Sequence, residues 1–284
     1  MDKEFAQLQT LASDKKEQTV AGRTFVVGRI GENEIVMQKC GIGKVNAAVG
    51  TSEMIAAFHP DLVISTGVAG GADTSLEVCE VVVSTACCYH DVYCGDECAM
   101  GQVLGMPERF ESDAALVEKA TSLNCHTQVH AGLIVTGDWF VNSREKMQQI
   151  LDNFPKAMAV DMESCSIAQT CHIYNTPFVS FRIISDIPLK DHKAQMYYDF
   201  FCRKSSMEQH GFHMTDGMTI SLEPSGSQKQ AIHQRTDLSG ICKKNFLSGA
   251  LVLCHDRIFS HSLQQTAPYR NDTSHIEKGS VQIR

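Results

Sequence analysis

Residues 159–186, AVDMESCSIAQTCHIYNTPFVSFRIISD, set Glu163, Arg182 and Asp186 in an otherwise largely apolar frame. The segment from Phe178 to Ile184 is apolar almost throughout and reads as a strand covered on both faces, the kind found in parallel sheets flanked by helices. Arg182 interrupts that run. Because arginine is almost never fully buried alone, it requires a carboxylate, an ordered water or a ligand beside it. Asp186 has the same strand parity and lies just past the strand's carboxyl end, the edge at which open α/β sheets bind ligands. Glu163 precedes Ile167 by four residues and Cys171 by eight, so on a helix its carboxylate shares their inward face. Spacing alone equally allows a plainer reading, with Asp161 as a helix cap and the charges joined in structural ion pairs.

Outward from this stretch, strands and helices alternate as far as Cys202. The pattern gives a helix from Asp2, strands near Thr24 to Val27 and Glu34 to Gln38, and a helix from Lys44 to Phe58. Strands follow at Leu62 to Thr66 and Val81 to Ala86. Next come a helix near Asp113 to Leu123, a strand ending at Val135, a helix beginning near Met162 and the strand into Asp186. This order predicts an α/β fold: three layers, α/β/α, around a central mixed, mostly parallel sheet.

Beyond Cys202 the pattern fails. Residues 203–284 hold ten Lys and Arg against seven Asp and Glu, whereas residues 1–202 hold fifteen against twenty-six. The division predicts a domain over 1–202 and a loosely ordered tail over 203–284, in which only Phe246 to Leu253 has the composition of an element. A formal net charge of −8 argues against general nucleic-acid binding. No apolar run is long enough to span a membrane, and the amino terminus MDKEFAQ lacks the apolar segment of a secretory signal. The twelve cysteines are scattered without zinc-ligand spacing, which predicts buried thiols in a cytoplasmic protein, with no metal and no cofactor.

Three glycine-rich turns end strands. In CGIGKVNAAVG, residues 40–50, two glycines lead into a helix. They either present free backbone amides to an anion or hydroxyl or answer a purely conformational need. The glycines of STGVAGG, residues 65–71, allow close approach of a ligand to the backbone around Val68, Ala69 and Gly70. Neither turn has the spacing of a phosphate or dinucleotide loop. VTGDWFVNS, residues 135–143, places Trp139 and Phe140 just after a strand end, where one ring can stack on a flat heterocycle or simply pack in the core.

Taken in order, GIGKVNAA, STGVAGG, YHD, GLIVTGDWFVN, AVDMES and RIISD resemble the 5′-methylthioadenosine/S-adenosylhomocysteine nucleosidases of the nucleoside phosphorylase superfamily, over roughly residues 1–201. The resemblance implies a hydrolase acting on a small-molecule nucleoside. It would cleave the N-glycosidic bond of 5′-substituted adenosines, in methionine salvage and in disposal of S-adenosylhomocysteine. It would work as a homodimer and without nucleic-acid or membrane partners. By position it makes Asp186 the acid that protonates the purine at ring nitrogen seven, oriented by Ser185. Glu4 would activate water with the help of Arg182, and Glu163 would bind the ribose hydroxyls. Met162 would pack on the sugar, Phe140 would stack on adenine, the Val141 backbone would read its edge, and Tyr198 would close the pocket. Val68 stands where some relatives offer a serine hydroxyl to the water. Alternatives are a related nucleosidase or phosphorylase acting on another purine nucleoside, such as futalosine or inosine, and a nucleoside-binding homologue without turnover.

The chain departs from the family at both ends. The family's first helix follows a buried strand, and this sequence starts at the Met after it. The departure predicts a fold weakened by the loss of ladder bonds worth about 0.5–1.5 kcal/mol each, with Glu4 deprived of its support and activity lowered. After Phe201, CRKSSMEQHGFHMT soon meets Gly211 and departs from the family's final helix. Between Tyr93 and Leu104 the chain is Cys-rich, which bears on the 5′-substituent and on the dimer contact.

Overall fold

A computed structural model describes residues 2–123, 127–191, 196, 200 and 250–255; for residues 2–4, 7 and 250–255 only the course of the backbone is described. The amino-terminal elements are α1 (Asp2–Thr10), β1 (Ser13–Val20), β2 (Arg23–Ile30), β3 (Asn33–Lys39), α2 (Lys44–Phe58), β4 (Leu62–Gly71), β5 (Val81–Tyr89) and β6 (Phe110–Glu111). They are followed by α3 (Ala114–Ser122), β7 (Val129–Thr136), α4 (Arg144–Asn153), β8 (Ala157–Asp161), α5 (Ser164–Ile173), β9 (Phe178–Asp186) and β10 (Ala250–His255).

The strands form one mixed sheet whose centre closes on itself. β4 pairs with β8 and β9, β8 with β7, β7 with β5, and β5 with β9, so five strands complete a circuit. Among the described residues, parallel pairing is confined to this circuit, in β4 with β9, β5 with β7 and β7 with β8. The antiparallel ribbon β1–β2–β3 extends from β4 through β10.

Residue alternation sorts the core onto two faces. Val36, Phe178 and Ile184 join α2 and α5 through Ala47, Met54, Ile167 and Cys171, whereas Ile35, Met37, Val179 and Phe181 join α1 and α3 through Leu8, Leu116 and Ala120. Helix α4 covers a third cluster with Met147 and Ile150. Every residue of β9 is buried because the strand lies between β4 and β5 with helices on both sides.

Three elements had no clear pattern in the sequence. β1, SDKKEQTV, is exposed along nearly its whole length, and its lysines are what an edge strand carries to discourage further pairing. α4 buries only Met147 and Ile150, with Ser143 capping it by accepting from the Lys146 amide at 3.3 Å. β8 is five residues long. In the tail, Ala250–His255 lies within the sheet as β10, paired on both sides, and overlaps Phe246 to Leu253, the stretch with the composition of an element; the rest of 203–284 lies outside the described residues.

Candidate active site

The carboxyl ends of β4, β7, β8 and β9 are drawn together by the sheet itself. Gly70 is in register with Asp186 on one side and with Val160 on the other, and Thr136 with Asp161. The Gly137 amide donates to the Asp161 carbonyl at 3.2 Å, which fixes the end of β7 against the start of the α5 turn. β4 runs parallel to β9 and β7 parallel to β8, and the short antiparallel pairing of β4 with β8 at Gly70 and Gly71 joins the two pairs where their carboxyl ends overlap, which is why side chains distant in sequence meet there.

At the centre lies the Asp161 carboxylate. It accepts from Arg182 Nε at 2.5 Å and from Thr136 Oγ1 at 2.5 Å, and also from the Ser164 hydroxyl. The Glu163 and Ser164 amides donate to it at 3.4 and 3.2 Å, so Asp161 both caps α5 and neutralises Arg182. The plainer reading of these two residues is thus realised in the structure. Arg182 is 2% exposed and spends a second nitrogen on Ser65 Oγ at 3.1 Å. Burial of a guanidinium opposes its charge, but Asp161 and Glu163 more than offset this and hold Arg182 protonated. The role of water holder assigned to it by resemblance therefore has to share a side chain already anchored on Asp161.

Glu163 stands at the N-cap of α5 rather than within the helix, but its carboxylate turns inward as its spacing suggested. It accepts from the Gly43 amide at 3.0 Å. Burial, then the neighbouring Asp161 carboxylate, pushes its pKa above the ordinary range, while Arg182 and the Gly43 amide pull it down. The turn after β3 is thereby explained. Gly43 has φ of +89°, and a Cβ there would lie 2.9 Å from Asp138 Oδ1. Its amide is used by Glu163 and that of Lys44 by Asp138 at 2.9 Å, so the start of α2 binds the protein's own carboxylates. Cys40, beside this turn, is held as a thiol by burial and by Glu163, with its pKa pushed up to about 11.

Asp186, 5% exposed, accepts from Ser185 Oγ at 2.7 Å, and the same hydroxyl lies 3.3 Å from the Ala69 carbonyl. Ser185 thus ties the end of β9 to the end of β4; residues 65–71, read from the sequence as a turn, run as strand because they stay paired with β9, with Val68 and Gly70 flanking the buried Ala69. Of the two rings after β7, Trp139 meets His90 edge-on at 5.3 Å, whereas Phe140 is 62% exposed. Met162 and Val141 are half-buried at the same rim. Glu4 falls in α1, but its side chain, like Tyr198 as a whole, lies outside the described residues.

Lys44 is engaged. Its ammonium sits 2.9 Å from both oxygens of Asp91, 3.9 Å from Asp138 and 5.4 Å from the centre of the Tyr89 ring. Beneath it His90 is buried, and burial lowers its pKa, so it is held neutral. A separate cavity of about 290 Å³, lined by Phe110, Asp113, His172 and Phe178, opens at the amino end of β9. That is the opposite end of the strand from Asp186, and Asp113 there already accepts from the Leu116 amide to cap α3.

Sequence reasoning found the charged residues of the candidate site and Ser185, but not the hydroxyls around Asp161 and Arg182. Ser65, Thr136 and Ser180 are small, buried and unremarkable in sequence, although Thr136 immediately precedes Gly137. Ser180 joins Ser164 at 2.7 Å, and the Cys165 amide donates to Thr136 Oγ1 at 2.9 Å.

Comparison with known proteins agrees with this geometry. The profile of the Phosphorylase superfamily matches residues 1–213. A 5′-methylthioadenosine/S-adenosylhomocysteine nucleosidase from Marinomonas sp. is 44% identical over 67% of this chain and 84% of its own length. The crystal structure of the enzyme of that name from Neisseria meningitidis, in complex with methylthio-immucillin-A, is 37% identical over 70% of this chain and 88% of its own, with a TM-score of 0.66. A futalosine hydrolase from Helicobacter pylori has a similar TM-score of 0.64 at 26% identity, over 74% of this chain and 94% of its own. With these matches over the residues that build the site, the chain belongs to the phosphorylase superfamily and, within it, to the 5′-methylthioadenosine/S-adenosylhomocysteine nucleosidases.

Proposed function

We propose that this chain hydrolyses the N-glycosidic bond of 5′-methylthioadenosine and S-adenosylhomocysteine, releasing adenine and the 5-substituted ribose. The reading rests on one arrangement: a buried Asp186 steadied by Ser185 at the carboxyl edge of the sheet, with Glu163 fixed at the same edge by the Gly43 amide, in a chain of this family. Cleavage of the bond to C1′ leaves an oxocarbenium-like sugar and a purine anion, so the leaving group must be protonated and water delivered to C1′. Asp186 gives its proton to ring nitrogen seven as the bond breaks. Glu4 takes a proton from the attacking water as the new C1′–O bond forms, and exchange with solvent restores both carboxyls. Glu163 accepts from the ribose hydroxyls while Met162 covers the sugar. Phe140 stacks on adenine, the Val141 backbone meets its edge, and Val68, Ala69 and Gly70 line the floor. Tyr198 closes the pocket.

Water is favoured over phosphate as the nucleophile by the state of the nearby cations. A phosphorylase must hold a dianion, yet Lys44 is neutralised by Asp91 and Arg182 by Asp161. Purified protein is expected to release adenine from methylthioadenosine in phosphate-free buffer, followed by coupled adenine detection. Strict dependence on phosphate would overturn the hydrolytic reading. A second reading, hydrolysis of another purine nucleoside, draws on the futalosine hydrolase likeness and is separated by comparing rates on methylthioadenosine, futalosine and inosine.

The working form is a homodimer in the cytoplasm. Val45 and Val49 on α2, Leu104, and Ile173 at the end of α5 are exposed apolar side chains. Ser52 and Tyr174, 2.7 Å apart, join the α2 and α5 parts of that face. An apolar surface of this kind beside a site suits a second copy of the chain.

A further inference from the structure

We propose that the carboxyl-terminal segment Ala250–His255 is an integral strand of this protein's sheet, one that holds β3 and β4 together and through them supports the turn at Gly43 and the glycine-rich end of β4. Residues Ala250 to His255 pair antiparallel with β3 from Lys39 to Glu34, and Ala250 to Cys254 pair antiparallel with β4 from Thr66 to Leu62. The strand is therefore bonded along both edges. It comes from beyond residue 213, where the match to the superfamily ends, so it is supplied by the part of the chain that the family does not share.

Without β10, the facing edges of β3 and β4 would each leave a row of backbone amides and carbonyls unpaired. A gap there would also cut the β1–β2–β3 ribbon from the closed circuit, because among the described residues β10 links the two in the order of strands. The consequence for the site follows from register. Ala250 lies opposite Lys39, the last residue of β3 before the turn that holds Gly43, and opposite Thr66, beyond which β4 runs on through Val68 to Gly70 paired with β9. The turn at Gly43 and the end of β4 thus both extend from strand positions that β10 fixes relative to each other. The tail is thus a strand donor acting within its own chain.

Hydrogen exchange read by mass spectrometry on the full-length wild type tests this directly. Amides of 251–254 are expected to exchange on the order of 10²-fold or more slower than an unstructured chain, with protection like that of β3 and β4. Exchange of that peptide at the unstructured rate overturns the proposal. In the full-length Val252→Pro variant, a proline removes one ladder donor from a strand paired on both sides. The melting temperature is expected to fall by about 5 °C or more, and protection is lost together in 34–39 and 62–66. An unchanged melting temperature overturns the proposal. Neither measurement uses adenine release, so the result stands apart from the fate of the nucleosidase reading.

Discussion

Arg182, Asp161, Glu163 and Asp186 divide the work of the site between holding and reacting. Arg182 and Asp161 are held by each other and by hydroxyls and amides on β4, β7 and α5. Breaking a buried pair from one side leaves an uncompensated charge, so Arg182→Met is expected to cost about 3–5 kcal/mol, measured by denaturant unfolding. Asp186 lies at the end of β9 beside Ser185. Asp186→Asn is expected to lower kcat by about 10²–10⁴-fold, the usual worth of acid catalysis, with a nearly unchanged melting temperature. Retained activity in a folded Asp186→Asn protein would remove Asp186 from the mechanism. Glu163 gives a pH-dependent test. Its folded pKa lies above the reference value of 4.5, so its contribution to stability is full below about that pH and is lost as pH rises through the folded value. Glutamine keeps an oxygen for the Gly43 amide but cannot ionise. Relative to wild type, ligand-free Glu163→Gln should therefore gain stability as pH rises from 4.5 to neutrality while losing affinity for the nucleoside. A melting-temperature difference that stays flat with pH would contradict this.

At the scale of elements, helix starts and strand ends do most of the positioning. α3 is capped by Asp113, which accepts from Leu116 N at 3.0 Å far from Asp186. Asp113→Ala should cost about 0.5–2 kcal/mol and leave adenine release per folded molecule unchanged, which separates loss of fold from loss of site. The start of α2 behaves differently, because its amides serve Glu163 and Asp138 and so belong to the site. Elements with strong apolar periodicity were legible beforehand. The bounds of α2 and the end of β9 agree with the sequence reading, and Asp113 caps the helix placed there. β1 and α4 were not legible, because one is polar throughout and the other buries only two side chains.

For the whole molecule, the exposed apolar side chains of α2 and of the end of α5 carry the expectation of a dimer. Val45, 74% exposed, is the natural probe. Val45→Lys places a charge on that face and is expected to shift the protein toward monomer in sedimentation velocity, with the monomer's fold retained. A wild type that sediments as a monomer at micromolar concentration would remove the dimer from the reading.

The sequence by itself determined the alternation of strands and helices through Asp186, the charged residues of the site and, through six ordered motifs, the family. Those features are local, since apolar periodicity, glycine turns and a charge in a buried strand are all read within a few residues. Closure of five strands into a circuit, the seating of Glu163 on Gly43 120 residues away, and the hydroxyls beneath Arg182 were decided only by tertiary structure. So was the place of β10. Which strand edges meet depends on the pairing of backbones far apart in the chain, and backbone groups carry no mark of their partner in the sequence.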